Sequence, residues 1–558
     1  MGGLNTSLSI GMQALDAAQG ALDVTSHNIA NANTPGYSEE VVQLSANSMT
    51  MSRGQVSGGG VTLDGLQGTQ NQLINLQIQQ QTSLQSSTNT QSASLQQMQT
   101  FFTTTGTDVA SALTALSSSL VALSASPGSS VTQQSVLASG QNLAQAFNTT
   151  ANGLTSAQST ADGLVTESVA QINTLTQQIA ALNGQVARLT ASGQSGGAVE
   201  DQLNQSVQQL SQLTGISITQ SSDGETITTG SGTPLVMGDQ SFSLQTTTGS
   251  DGFQQVLDFN GKDITNSIQG GQLGGAIQVR DTTVPGLLSQ LNTLASQFAN
   301  SFNAAQAGGI DSYGNQGQNV FTITTGLANA ASGISVSITD PALIAVGSVG
   351  SPNSNGNIAS LSDVLTDTLL NSATSSVGTA ALPLAPATTL TNGSITSITD
   401  SSTGQTFSFT AGAPSTIADL QTAIAGAVTS GILSAGTALS INSNGQAVIS
   451  TPTAGDTMQV STNDAVLGQF NSTSGKTAAS AYASLVFDVG NQAANANTQS
   501  TAIGQNLLQL TNQQGATSSV NINDETANLI RFQTAYEAGA RIVSTIQQLY
   551  TDTMNMMT

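Results

Sequence analysis

Cysteine and tryptophan are absent from this 558-residue chain, and histidine occurs once. Without cysteine there is no disulfide framework, no thiol nucleophile and no thiolate metal ligand. A Ser–His–Asp triad would have to use His27, and an HExxH zinc motif needs two histidines one helical turn apart. No enzyme activity, catalytic residue, cofactor or metal site is therefore expected. Lys and Arg number 7 against 30 Asp and Glu, for a formal net charge of −23. A nucleic-acid surface needs a basic stripe to neutralise phosphates, and anionic membranes repel such a chain for the same reason. Aromatic residues make up 3 %, too few for a stacking groove or a carbohydrate platform. No run reaches the roughly 18 apolar residues of a membrane helix. The first 52 residues contain no Lys or Arg, so the positive start of a cleavable secretory signal is missing, and these features alone predict a cytoplasmic protein.

Charged residues of both signs make up only 7 %, against roughly a quarter in an ordinary globular protein. The surface must be covered by Ser, Thr, Gln, Asn and Gly. The length predicts three or four domains.

The informative stretches are the two ends. Leu4, Leu8, Gly11, Leu15, Ala18, Leu22, Thr25 and Ile29 recur at intervals of three and four. So do Leu529, Phe532, Tyr536, Gly539, Val543, Ile546 and Tyr550. A 3.5-residue period keeps one stripe facing a partner helix, as in a coiled coil. Two such helices at opposite ends of a chain most simply pair with each other. Behind the first come Asn28, Asn31 and Asn33, then Thr34-Pro35-Gly36-Tyr37. Pro fixes φ and ends the helix, and Gly accepts positive φ, so a turn centred on Pro35 and Gly36 is expected.

The segment from Asn28 to Tyr37 resembles the N-terminal signature of the flagellar axial proteins, the rod, hook and hook-associated family. The run TANLIRFQTAYEAGARIVSTIQQLY, from Thr526 to Tyr550, narrows the likeness to the hook-associated members. Glu39 and Glu40 depart from that pattern, where a basic residue commonly follows the Tyr-Ser pair. The blocks 58–85 and 270–321 resemble the same family.

Between the ends, long helices are expected from about 64 to 213. Seams run through Val109, Leu113, Leu116, Leu120 and Leu123, then Leu175 to Leu189, then Leu203, Val207 and Leu210, with Pro127-Gly128 as a break. Asp223-Gly224 and Asn260-Gly261 mark hairpins in 214–270. Leu287, Leu291, Leu294 and Phe298 form a further seam. Asp311 to Asn315 places oxygens at alternate positions like a Ca²⁺ loop, but lacks the closing acidic residue, so a turn is preferred. In 322–475, Thr416 and Asp419 suit a capping box, and a hairpin is expected across Asn444-Gly445.

The reading is thus mainly α with inserted β domains. A terminal assembly domain (1–57 plus 515–558) has paired coiled-coil-like helices. A long-helix bundle takes 58–213, 271–321 and 476–514, with a small β insertion at 214–270 and outer β modules at 322–475. The resemblance implies a structural subunit joining hook to filament, exported through the flagellar type III channel without a cleaved signal and located outside the cell. It implies an assembly interface formed by Leu8, Leu15, Leu22, Asn28, Ile29, Asn31, Pro35, Gly36 and Tyr37 with Leu529, Phe532, Tyr536, Val543, Ile546 and Tyr550. The partners it implies are copies of the chain itself in a ring or helix, the hook protein, the second junction protein FlgL, and a FlgN-type export chaperone on the C-terminal helix. A hook or distal rod protein is the nearest alternative. A surface adhesin with β modules on a helical stalk is another, but leaves the seams at both ends without a purpose.

Overall fold

The computed structural model describes every residue except 1, 35, 48–49, 53–54, 58, 104–105, 193–195, 222–223, 324–328, 367–371, 376–383, 401–402, 442–445, 451–457, 469, 473–476 and 558. The chain opens with α1 (Gly2–Asn31), followed by β1 (Glu40–Ala46), which pairs antiparallel with β4 (Val61–Gly68). The short β2 (Thr50–Ser52) and β3 (Gln55–Ser57) pair between them. Then come α2 (Gln72–Phe102), α3 (Val109–Ala125), the 62-residue α4 (Ser130–Ala191) and α5 (Gly197–Leu213). A four-stranded sheet, β5 (Ile216–Ser221) to β8 (Gln240–Ser241) in sequence order, precedes the two-stranded pair of β9 (Gln245–Thr248) and β10 (Gln254–Leu257). Helices α6 (Gly271–Gln278) and α7 (Val284–Ala307) are separated by a π-helical turn over Val279–Thr283. Pro285 in the first turn of α7 has no N–H to complete an α-helical ladder there.

Contacts divide the chain into two compact units. The first comprises residues 1–91, 161–278 and 496–558, and the second 92–160 and 279–495. In the first, Val165, Val169, Ile172, Ile179 and Leu182 of α4 meet Leu203, Val207 and Leu210 of α5 and Leu235, Val236 and Val256 of the sheets in one buried cluster. Of the expected seams, Ile179, Leu182, Leu203, Val207 and Leu210 thus become core, whereas Leu175, Val186 and Leu189 are only half-buried. Gly224 opens its strand at φ +109°; Asp223 of the expected hairpin lies outside the described residues. Asn260 and Gly261 form the expected turn, with Gly261 at φ +81°.

In the second unit, Val109, Leu113, Leu116, Leu120 and Leu123 of α3 are all buried, and the helix stops at Ser126 before Pro127. Leu287, Leu291, Leu294 and Phe298 are likewise buried in α7. Phe298, Phe302 and Phe321 form a trio with centroids 5.3–5.9 Å apart. Asp311 is buried, and its Oδ1 accepts from the backbone N–H of Tyr313 and Asn315 at 2.9 and 2.8 Å. Its carboxylate thus closes its own turn, as expected for a loop of this composition. Residues 384–467 have their own core, built from Ile398, Leu420, Ile424, Leu439, Ile449 and Met458 among others. There Thr416 and Asp419 form the reciprocal capping box at the start of the helix Ile417–Thr429. Leu439 pairs with Ile449; the Asn444-Gly445 turn between those strands lies outside the described residues.

With so few charges, buried and half-buried asparagines tie helices to neighbouring strands and loops. Asn173 donates to the Leu244 carbonyl and accepts its N–H, both at 2.8 Å. Asn183 donates to the carbonyls of Glu225 and Gly238, each at 2.9 Å. Asn303 and Asn357 do the same in the second unit. A neutral amide satisfies two backbone groups without the desolvation cost of a buried ion pair.

Candidate functional site: the paired terminal helices

The last two helices are α11 (Ala478–Ser518) and α12 (Ile522–Met557), counting the intervening short helices of the second unit, α8 (Ala330–Gly333), α9 (Ile358–Thr366) and α10 (Ile417–Thr429). Helix α12 packs antiparallel along α1. Two glycines set how closely. A Cβ on Gly11 would lie 3.0 Å from Val543 Cγ2, and a Cβ on Gly539 would lie 3.3 Å from Leu15 Cγ. Each helix therefore offers a glycine to a branched side chain of the other.

Around these contacts the seam is closed to different depths. Gly11, Ala18, Thr25, Gly539 and Ile546 are buried, while Leu8, Leu15, Leu22, Ile29, Leu529, Phe532 and Val543 are half-buried. Tyr536 and Tyr550, on the same stripe by spacing, are exposed. Helix α1 has a second covered side. Ala17, Ala21 and Val24 are buried, and Gly20 lies where a Cβ would be 3.0 Å from Leu63 of β4. So α1 is held between α12 and the β1–β4 hairpin, an arrangement that the 3.5-residue count does not reveal.

The end of α1 is locked by one side chain. Asn28 is 1 % exposed. Its Oδ1 accepts from the Tyr37 hydroxyl at 2.8 Å and the Glu40 N–H at 3.1 Å, and its amide donates to the Glu40 carbonyl at 2.9 Å. The Tyr37 N–H donates to the Thr34 carbonyl at 3.2 Å, closing a turn with Gly36 at φ +82°; this positive φ at the third position is what a type II turn requires. Pro35 lies outside the described residues. Asn31 is half-buried and donates to the His27 carbonyl at 3.0 Å. His27 itself is exposed, edge-on to the Tyr37 ring at 6.4 Å. Replacing Asn28 with Ala removes three hydrogen bonds at a site where water cannot replace them, so about 2 kcal/mol or more should be lost. Urea unfolding of the purified protein measures this, and an unchanged midpoint would contradict it.

Acidic groups gather beside this turn. The Ser38 N–H donates to Asp201 Oδ2 at 3.0 Å, the Gln70 amide donates to Asp201 Oδ1 at 2.9 Å, and the Glu39 N–H donates to the Ser518 carbonyl at 2.9 Å. Glu525 is 3 % exposed, and its Oε2 has no hydrogen-bond partner; the dipole of α12 that its position favours leaves that oxygen unsatisfied. Burial pushes the Tyr37 hydroxyl up to about 12, helped by Glu40, Asp201, Glu525 and Glu39, so it stays a donor to Asn28. Burial, reinforced by neighbouring carboxylates, also raises Glu39, Glu200 and Glu225; burial raises Asp201 against its hydrogen bonds. The sign follows. These carboxyls hold protons more readily folded than unfolded, so their contribution to stability is complete below the ordinary carboxylate range and is lost as pH rises through the raised folded values. The melting temperature of the first unit should therefore rise as the pH is lowered from about 7 to about 5. A flat or falling profile would contradict it. Asp419, in the other unit, is held low by Thr416, and its stabilisation fades only below the ordinary range, outside this window.

Among the described residues, no group of three or more His, Asp or Glu side chains is placed to hold a metal ion. Among the same described residues, no helix is long and apolar enough to cross a membrane.

Known proteins match this frame part by part. The family model described as the flagellar hook-associated protein FlgK helical domain matches residues 95–321. The flagella basal body rod protein model matches 8–37, and the flagellar basal body rod FlgEFG protein C-terminal model matches 513–556. Flagellar hook-associated protein 1 of Escherichia coli K12 is 26 % identical, covering 99 % of this chain and 100 % of that protein. Flagellar hook-associated protein 1 is thus what the chain resembles along its whole length. The Bacillus subtilis protein of that name is 26 % identical over 64 % of this chain and 80 % of its own, and the Salmonella typhimurium one 25 % over 99 % and 100 %. A solved structure described as the flagellar hook junction protein FlgK from Burkholderia pseudomallei is 19 % identical with a TM-score of 0.49, covering 80 % of this chain and all of that one. The two rod-type matches fall on α1 with its turn and on the end of α11 with α12, and α1 and α12 pack together here.

Proposed function

We propose that this chain is a structural subunit of the hook–filament junction, whose role is mechanical and whose terminal helix pair is its assembly interface. The observation that carries the reading is the pairing of α1 with α12 along seams that fall within the two rod-type matches. A chain whose first and last helices form one packed element can stack that element on copies of itself, while the modules between them keep their own cores. The proposed interface comprises the seam residues above together with the Asn28–Tyr37 turn. The proposed domains are the terminal pair, the helical bundle, the 214–270 insertion and the 322–475 modules. The neighbours are copies of itself, the hook protein and the second junction protein, reached by type III export with the N-terminus intact. Cells lacking the protein should carry hooks without filaments and shed flagellin into the medium; normal filaments on such cells would overturn the reading.

Before export, the C-terminal helix would be held by a FlgN-type chaperone. Ile542, Leu549 and Met556 of α12 are 53, 50 and 83 % exposed, an apolar row that a helix-binding groove could cover. Deleting 520–558 should abolish co-purification with that chaperone, and deleting 322–475 should leave it intact. The reverse pattern would contradict the assignment.

A further inference from the structure

The terminal pair has two exposed flanks. At about 100° per residue, Met12, Asp16, Gln19 and Asp23 line one flank of α1, away from the β1–β4 hairpin, and all four are exposed. On α12, Arg531, Ile542, Leu549 and Met556 line one flank and are exposed as well. The same angular count around an antiparallel pair puts these two flanks on opposite sides of the helix layer; Ile542, at the edge of its flank, also touches its own α1, its Cγ2 lying 3.6 Å from where a Cβ on Gly11 would be. Their levels along the axis nevertheless agree. Gly11 faces Val543 and Leu15 faces Gly539; continuing that one-for-one antiparallel count sets Met12 level with Ile542 and Asp23 level with Arg531.

The charges agree too. Helix α1 carries Asp16 and Asp23 and no Lys or Arg, whereas α12 carries Arg531 and Arg541, two of the seven basic residues in the chain, along with Asp524, Glu525, Glu537 and Asp552; on its exposed flank Asp524 lies at the helix start and Arg531 two turns further in. The Arg531 guanidinium lies over the Phe532 ring, 4.8 Å from its centroid, which holds it beside the seam. In a chain of net charge −23, copies repel one another, and a basic site placed opposite an acidic one determines where they can approach.

We propose that the α12 flank of one copy docks on the α1 flank of a second copy at the same axial height, Ile542 against Met12 and Arg531 against Asp23. The inference rests on the assembly reading above and adds the face, the direction and the register. Because two different surfaces meet, the contact is head-to-tail and repeats until a ring closes or a helix grows.

The absence of cysteine gives a clean test. A tagged Met12→Cys chain and an untagged Ile542→Cys chain would be co-expressed in cells lacking the parent protein, and their flagella isolated and oxidised. A disulfide-linked dimer of tagged and untagged chains is expected, and Met12→Cys with Ile542→Cys in one chain should give a ladder of multimers. Leu15→Cys with Gly539→Cys serves as the reference and should bridge within a single chain. Both chains present in flagella and the reference bridge formed, but no mixed dimer, would overturn the docking while leaving the assembly reading intact. Absence of the wild-type chain from isolated flagella would instead refute the assembly reading itself. As a second arm, Arg531→Asp should reduce incorporation about tenfold, the order expected for loss of a close interfacial charge pair, and adding Asp23→Arg should restore most of it. A double variant no better than either single one would contradict the pairing.

Discussion

Leu116→Asp should stop the second unit from folding. Leu116 lies in α3 at 0 % exposure, in a row of buried Leu and Val side chains, and α3 packs against α9. Removing a large apolar side chain from such a site costs about 2–5 kcal/mol. Placing an unpaired carboxylate there adds a penalty of several kcal/mol more, or forces the group to take up a proton. Against a typical total stability of roughly 5–15 kcal/mol, that is enough to unfold the unit. Limited proteolysis should show the fragments of 92–160 and 279–495 becoming sensitive at temperatures where the parent protein resists. A melting curve that overlays the parent curve would show that the α3 row is not core.

The seams of this protein were legible because they are local. Val109 to Leu123, Leu287 to Phe298 and the two end stripes need only a count of threes and fours, and their helices form where that count places them. The Thr34–Tyr37 turn and the Thr416–Asp419 capping box were legible for the same reason, since a few adjacent residues fix both. What the sequence did not display depends on residues far apart. Gly153 sits where a Cβ would lie 2.8 Å from the Phe101 ring, and nothing near it announces the contact. Asn28 could be read only as part of a helix stop; its role as a clamp needs Tyr37 and Glu40 to return beside it. Tyr536 and Tyr550 lie on the α12 stripe by spacing, yet each is 39 % exposed, while Gly539 and Ile546 between them are buried. The flank of Ile542, Leu549 and Met556 was hidden by its neighbour, since two adjacent heptad rows on one helix read as a single broad stripe.

Leu22→Asp and Val543→Asp should have the opposite effect to Leu116→Asp. Both residues are half-buried on the α1–α12 seam, where water can still reach part of the new carboxylate. Their cost to a purified monomer should be small beside the loss in the α3 row, and the second unit should melt unchanged. In the assembled structure the same charge would be enclosed between subunits, where an unpaired carboxylate is strongly unfavourable. Leu22→Asp is the more telling of the two, because it leaves the proposed chaperone-binding helix untouched. It should be exported and found folded in the medium, while the cells lose motility.

Immunogold labelling of hooks isolated from cells making only Leu22→Asp separates assembly by the ends from folding of the middle. Hook tips free of label, with full-length folded protein recovered from the medium, are the predicted result. Hook tips labelled as densely as those of the parent strain would contradict it.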